Sequence, residues 1–211
     1  MKQEVLFILL NDYADWEAAF LSSALNAGLM PGSEIKYVTK TVAPTLEEVH
    51  SLGGFRVTPD YSFKTMPIDY AALILIGGMQ WNSPEAEQVV PLVQDALKQG
   101  KIVGAICNAS CFMGAHGFLN EVKHTSNTLP YLKQWAGESY TNDAGYIEKQ
   151  AGGKKKEAEK KKNKAVSDKN IVTANGTGYL EFTRELLLLL KVDTPEKIEE
   201  FYDFHKNGLI R

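Results

Sequence analysis

Lys101-Ile102-Val103-Gly104-Ala105-Ile106-Cys107-Asn108-Ala109-Ser110-Cys111 is the stretch that decides the fold. It opens as a short apolar run, the mark of a strand buried on both faces. Without a spacer it becomes a helix over about 108–116, closed by Gly117. Cys107 stands at the join. A side chain at such a sharp turn projects from the top of a sheet, and the helix's first N–H groups face the same spot. Those groups stabilise negative charge, so they favour thiolate over thiol and can hold an oxyanion. The stretch thus reads as a nucleophile elbow with sulfur in place of serine, or as a buried structural cysteine. Position alone leaves both open.

Working outward, residues 5–10 are a second apolar run, followed by the loop Asn11-Asp12-Tyr13-Ala14-Asp15. Asp15 is placed to cap a helix over 16–27, stopped by Gly28, with Trp16, Ala19, Phe20, Ser23, Leu25 and Ala27 as its inner face. Glu17 falls in its first turn. Strands are expected over 34–39, 71–76, 146–150 and 171–174, with a short hairpin over 50–57. Helices are expected over 84–99, 129–135, 179–191 and 195–206, while 122–127 is polar and reads as strand edge or loop. Gly77-Gly78-Met79-Gln80-Trp81 and Asn175-Gly176-Thr177-Gly178 are Gly-rich exits from strands.

Strands alternating with helices predict a mostly parallel, doubly wound sheet with helices on both faces, an α/β/α sandwich. A chain of 211 residues fits this as a single domain, residues 1–211. Ligands bind such sheets beyond the carboxyl ends of the strands. Glu17, Gly77-Gly78, Cys107 and Asn175-Gly176 all follow strands. Their convergence on one rim favours the elbow over the structural cysteine.

The totals exclude several classes. Hydrophobic residues make up 44% and charged residues 23%, as in ordinary globular proteins. No apolar run approaches the roughly 20 residues of a membrane span. Met1-Lys2-Gln3-Glu4 leads straight into an apolar strand rather than a secretory signal. Two cysteines four apart make no disulfide framework, so a reducing cytoplasm is expected. A net charge of −3 argues against nucleic acid. The exception is 151–164, with seven lysines and two glutamates. It reads as a Lys-rich insertion into a hairpin strand, natural or engineered, and as a solvated charge run rather than a binding arm.

Near neutral pH a free thiol is mostly protonated, so Cys107 needs activation. Glu17 is placed to supply it, as a proton donor to the thiolate or as a base. A carboxyl held against a thiolate has its pKa raised. An acid in a helix's first turn is also explained by the helix dipole alone. His124, between Lys123 and Thr125-Ser126, is the histidine best placed to complete a Cys/His pair. His50, His116 and His205 read as structural or solvated, and Cys111 as core. The cysteine spacing does not suit a metal, no cofactor is indicated, and no G-x-G-x-x-G follows the first strand. Gly78 and Asn108 are candidates to offer backbone N–H groups to an oxyanion.

In order along the chain, residues 5–10, Trp16-Glu17, Leu75-Ile76-Gly77-Gly78, Ala105-Ile106-Cys107-Asn108-Ala109, Lys123-His124-Thr125-Ser126-Asn127 and Thr173-Ala174-Asn175-Gly176-Thr177-Gly178 resemble the DJ-1/PfpI (ThiJ) superfamily. The resemblance covers nearly all of the chain except the Lys-rich insertion. It implies a flavodoxin-like sandwich related to class I glutamine amidotransferases. It further implies that Cys107 is the elbow cysteine, Glu17 its contacting glutamate, His124 the histidine of the DJ-1-like and glyoxalase-like branches, and Gly78 and Asn108 the oxyanion positions. One departure matters. The protease-like branch places a histidine directly after the nucleophile, and here Asn108 stands there, which argues against a peptidase. No His-x-Glu follows the last strand to complete an amidotransferase triad.

Members of that family range from proteases, chaperones, glyoxalases and amidase-like enzymes to redox sensors, so the fold does not fix the function. The leading expectation is a cysteine-dependent hydrolase or glyoxalase-like lyase acting on a small carbonyl or amide. The alternatives are a stress-sensing protein whose Cys107 is oxidised to a sulfinate beside Glu17, and a non-catalytic module that binds through its lysines. The expected partner is a small-molecule substrate or oxidant, with room for a homodimer as in many relatives.

Overall fold

The computed structural model describes residues 2–148 and 164–208. In chain order its elements are β1 (Gln3–Ile8), α1 (Asp15–Ala27), β2 (Tyr37–Ala43), β3 (Val49–His50), β4 (Arg56–Val57), β5 (Tyr61–Ser62), β6 (Ala72–Leu75), α2 (Pro84–Glu87) and α3 (Val89–Lys98). They continue with β7 (Ile102–Ile106), α4 (Asn108–Ala115), α5 (Leu129–Ala136), β8 (Ala165–Asp168), β9 (Ile171–Ala174), α6 (Tyr179–Leu190) and α7 (Pro195–Asn207). Two short 3₁₀ turns, Gly137–Ser139 and Asp143–Gly145, follow α5.

Seven strands form one sheet in the order β5-β2-β1-β6-β7-β9-β8, and a separate hairpin pairs β3 with β4. Every pairing in the large sheet is parallel except β8 with β9. The chain leaves β1 toward one edge, returns, and resumes at β6 on the other side of β1. The crevice beyond the carboxyl ends of β1 and β6 is therefore the topological switch point, where α/β sheets bind ligands.

Alternation along the strands builds two cores. Val5, Phe7, Ile74 and Val172 face α1, α6 and α7 through Leu21, Leu25, Phe182, Leu186 and Ile198. Leu6, Ile8, Leu73, Leu75, Val103 and Ala105 face α3, α4 and α5 through Val93, Phe112 and Leu132. The central strand is glycine at 104 because α6 lies directly on it. A Cβ there would stand 2.9 Å from Phe182 Cζ.

Several boundaries differ from the sequence reading. The second strand is Tyr37–Ala43, not 34–39, because β1 sets its register from Gln3↔Tyr37 to Ile8↔Val42. Only the two-residue β5 covers its outer side, so Thr39, Lys40 and Thr41 stay half-buried and give no apolar run. The helix expected over 84–99 breaks at Gln88. Pro91 explains the break, since its ring cannot accept a helical carbonyl four residues back, at Glu87. Among the described residues 146–148 there is no strand; Tyr146 makes an isolated bridge to His124, and residues 149–150 of the expected strand lie outside the described residues. The Lys-rich insertion also lies outside them except for Lys164.

The first helix is rotated from expectation. Its buried residues are Glu17, Leu21, Ala24 and Leu25, while Trp16 is 48% exposed. Asp15 does not cap it. Asp15 is its first residue, and its carboxylate accepts the Gly53 N–H at 2.7 Å, tying down the turn between β3 and β4. No described helix is long and apolar enough to cross a membrane.

Candidate active site

Cys107 joins β7 to α4 with φ 59° and ψ −129°. Few non-glycine residues adopt such a backbone, and those that do are held there by their surroundings. Here both ends of the turn are pinned. The Cys107 N–H donates to Ala174 O at 3.0 Å, and the Cys107 carbonyl accepts from Ser110 N at 3.0 Å and Ser110 Oγ at 2.6 Å. The elbow that the sequence implied is thus present, with its thiol half-buried.

Glu17 reaches the thiol because it sits at the head of the buried stripe of α1. It is 1% exposed. The Cys107 thiol and the Gly77 amide face its carboxyl, and neither oxygen has a fully formed hydrogen bond among the described residues. A buried carboxylate without firm donors is costly, so the proton is retained. Burial, the main cause, pushes Glu17 up to about 7, against weaker opposing contacts from Cys107 and Gly77. The sequence reading gave the neighbouring thiolate as the cause; removal from water is the larger one. For Cys107, burial and then the Glu17 charge push the thiol up to about 11, although Asn127 and the Asn108 amide act in the opposite direction. The helix N-terminus, which the sequence reading counted as favouring thiolate, therefore does not overcome burial.

Two glycines wall the pair. An ideal Cβ on Gly77 would collide with Glu17 Oε2 and with Cys107 Cβ. One on Gly176 would lie 2.9 Å from Cys107 Sγ and 3.1 Å from Glu17 Oε1. Trp16 Nε1 donates to Gly176 O at 3.2 Å and fixes that wall from the α1 side. Gly78 is brought to the elbow by its carbonyl, which accepts Asn108 Nδ2 at 2.8 Å. Its own N–H makes no hydrogen bond among the described residues, while the Asn108 N–H acts on the Cys107 sulfur.

His124 is not part of this cluster, which corrects its assignment as a catalytic residue. It is fully buried, with Nδ1 on Val122 O at 2.8 Å and Nε2 on the Tyr140 hydroxyl at 2.8 Å. Both ring nitrogens are engaged, and burial lowers its pKa. The other histidines lie elsewhere: His50 beside Glu48, His116 beside Glu87, and His205 on Phe201 O. Asn127 occupies the place next to the sulfur, with Nδ2 at 3.5 Å from Cys107 Sγ. The Thr125 N–H donates to Thr173 Oγ1 at 2.8 Å and lays this segment beside β9. Within it His124 is buried against Tyr140, while Asn127 is half-buried and meets the elbow. Cys111 is fully buried against Ser126, and burial pushes its thiol up to about 11. Among the described residues no group of three His, Cys, Asp or Glu side chains could hold a metal.

Two cavities open along the rim. One of about 500 Å³, lined by Asp12, Glu47, Glu48 and Gln80, is lined by none of the residues that contact Cys107. The other, of about 440 Å³, is lined by Asn127 and Gly176, both against the Cys107–Glu17 pair, and by Thr128, Tyr146, Glu148 and Thr177. Of the two, the second borders the Cys107–Glu17 pair.

Comparison with known proteins gives the family. The model of the DJ-1/PfpI family matches residues 3–189. A Bacillus subtilis protein named as an uncharacterized protease, YdeA, is 33% identical over 206 residues, covering 98% of this chain and 92% of the relative. The crystal structure of a thiJ/pfpI family protein from Bacillus anthracis superposes with a TM-score of 0.84 at 30% identity, over 99% of this chain and 92% of that one. A DJ-1 superfamily protein from Agrobacterium tumefaciens gives a TM-score of 0.80 at 30% identity, over 99% of this chain and 100% of that one.

Proposed function

The chain belongs to the DJ-1/PfpI family, and we propose that within it the protein is a cysteine-dependent hydrolase or glyoxalase-like enzyme acting on a small carbonyl or amide compound. One observation carries this reading: a half-buried cysteine on a constrained elbow, at φ 59°, lies against a carboxyl whose pKa is raised to about 7. Two buried acids in contact titrate as a pair. The pair loses one proton near 7 and keeps the second to about 11. Across that range it carries one negative charge and one proton. Glu17 carries most of that charge, and the reactive form is the tautomer with the charge on sulfur and the proton on Glu17.

The thiolate attacks the carbonyl carbon, an S–C bond forms, and the C=O pair moves onto oxygen. The N–H groups of Gly78 and Asn108 are assigned to that oxygen. Glu17 delivers its proton to the oxygen of an aldehyde adduct, or to the leaving nitrogen of an amide as the C–N bond breaks, after which water cleaves the thioester and restores the thiol. Because Asn108 rather than a histidine follows Cys107, Glu17 is the proton carrier. The name of the Bacillus relative points to amide hydrolysis; the missing histidine favours small substrates over peptides.

The test is turnover of a panel of small aldehydes, esters and amides by wild type, Cys107→Ser and Glu17→Gln. Turnover lost in both variants supports the reading. Turnover that survives Cys107→Ser refutes it. No turnover, together with selective conversion of Cys107 to sulfinate by peroxide, transfers the site to the sensing role.

A further inference from the structure

We propose that Asn127 is a further catalytic residue of this site: its side-chain amide is the donor that holds negative charge on the Cys107 sulfur, and on the substrate oxygen once sulfur has bonded to carbon. The inference rests on the reading of Cys107 as a nucleophile.

The orientation of an Asn amide must come from its hydrogen bonds, because O and N look alike. Here both ends of the network are backbone groups of fixed polarity. Gly176 N–H can only donate, and it donates to Asn127 Oδ1 at 3.0 Å. Gly78 C=O can only accept, and it accepts from Asn108 Nδ2 at 2.8 Å. Between them, Asn127 Nδ2 donates to Asn108 Oδ1 at 3.3 Å. Turning either amide over would set donor against donor or acceptor against acceptor. The relay therefore has one polarity, and it leaves the second Asn127 Nδ2 hydrogen for Cys107 Sγ, 3.5 Å away. Four segments are tied in this way: the exits of β6 and β9, the elbow, and the loop before α5.

Asn127 also lines the 440 Å³ pocket. A carbonyl approaching the sulfur from that pocket passes its amide. When the sulfur electron pair becomes the S–C bond, sulfur loses its charge and the carbonyl oxygen gains it. The Nδ2–H then shifts from the sulfur to the oxygen, and Glu17 supplies the proton that closes the step. No oxidant or further reactant is required. Unlike a histidine, this donor does not titrate, so it serves at every pH.

The experiment is the rate of Cys107 alkylation by iodoacetamide against pH, on the full chain, for wild type, Asn127→Asp, Asn127→Ala and Asn108→Ala. Asn127→Asp keeps the acceptor for Gly176 N–H but puts a charged oxygen where the donor was. Its first ionisation midpoint should rise by more than about one pH unit, and that of Asn127→Ala by about one unit, the scale of one hydrogen bond to a charged group. Asn108→Ala frees Asn127 from the relay and should raise the midpoint by less. Unmoved midpoints overturn the proposal. If Asn127→Ala does not fold, the Asp variant and Asn108→Ala decide. The wild-type curve alone judges Cys107 as a nucleophile, and the differences between curves judge Asn127, so the two failures are separate.

Discussion

Glu17 and Cys107 meet although their strands, β1 and β7, are not neighbours in the sheet. β6 lies between them, and Gly77 is the second residue after it. Only a residue without a side chain at that point lets the carboxyl cross to the sulfur, since a Cβ there would strike both. Gly176 closes the notch from the β9 side. The site is therefore a gap in side chains at the switch point, filled by one acid and one thiol.

The wall at Gly176 is the easier one to probe. Gly176→Ala places a methyl 2.9 Å from Cys107 Sγ and 3.1 Å from Glu17 Oε1. Overpacking of this kind costs about 1–3 kcal/mol, and the thiol should be alkylated about tenfold more slowly. Urea denaturation and labelling with iodoacetamide check both. Wild-type stability and labelling would show that the notch tolerates filling.

The buried carboxyl makes stability depend on pH. Glu17 is raised from an ordinary 4.5 to about 7, so between those values the folded chain holds a proton that the unfolded chain has lost. Its contribution is full below 4.5, falls as pH rises, and is gone above 7. The change is on the order of 3 kcal/mol. Glu17→Gln cannot ionise, so its denaturation midpoint should change less between pH 5 and 8 and exceed that of wild type at pH 8. Parallel pH curves for the two proteins would show that Glu17 titrates normally.

His124 supplies the converse case. Its replacement by Ala opens a buried space and removes one hydrogen bond each from Val122 O and the Tyr140 hydroxyl, which keep Asn142 as a partner; two lost hydrogen bonds cost about 1–3 kcal/mol. The pH midpoint of Cys107 alkylation should stay at the wild-type value. A shift as large as that of Asn127→Ala would return the histidine to the active site.

The sheet and the Cys107–Glu17 pair were legible because their signals are local. Apolar runs marked β1, β6, β7 and β9, and the glycines after β6 and β9 marked exits that approach a ligand. Cys107 could be read from the strand-to-helix join. The burial of Glu17 was readable too, since Leu21, Ala24 and Leu25 follow it at the helical spacings of four, seven and eight, but the exposed Trp16 drew the apolar face one residue too early. The break at Gln88 was written in Pro91. Asn127 was not legible. It is one polar residue in a short polar loop, and its role comes from a sheet order that sets that loop against Gly176 and Asn108. The same loop offered a histidine, and residue type favoured it. Only the folded chain shows that His124 is held by Val122 and Tyr140 and that Asn127 meets the sulfur.

The central claim, that Cys107 and Glu17 share one proton and place charge on sulfur near neutral pH, is tested most directly by the rate of Cys107 alkylation in the wild-type protein from pH 5 to 12. The proposal expects two steps: a small rise near 7, where the pair loses its first proton and part of the charge passes to sulfur, and a second, larger rise near 11 as it loses the last. A single rise near 11 would put the first charge on Glu17 alone and leave an inert thiol, and a single rise near the free-cysteine value of about 8.5 would mean that the two groups do not interact.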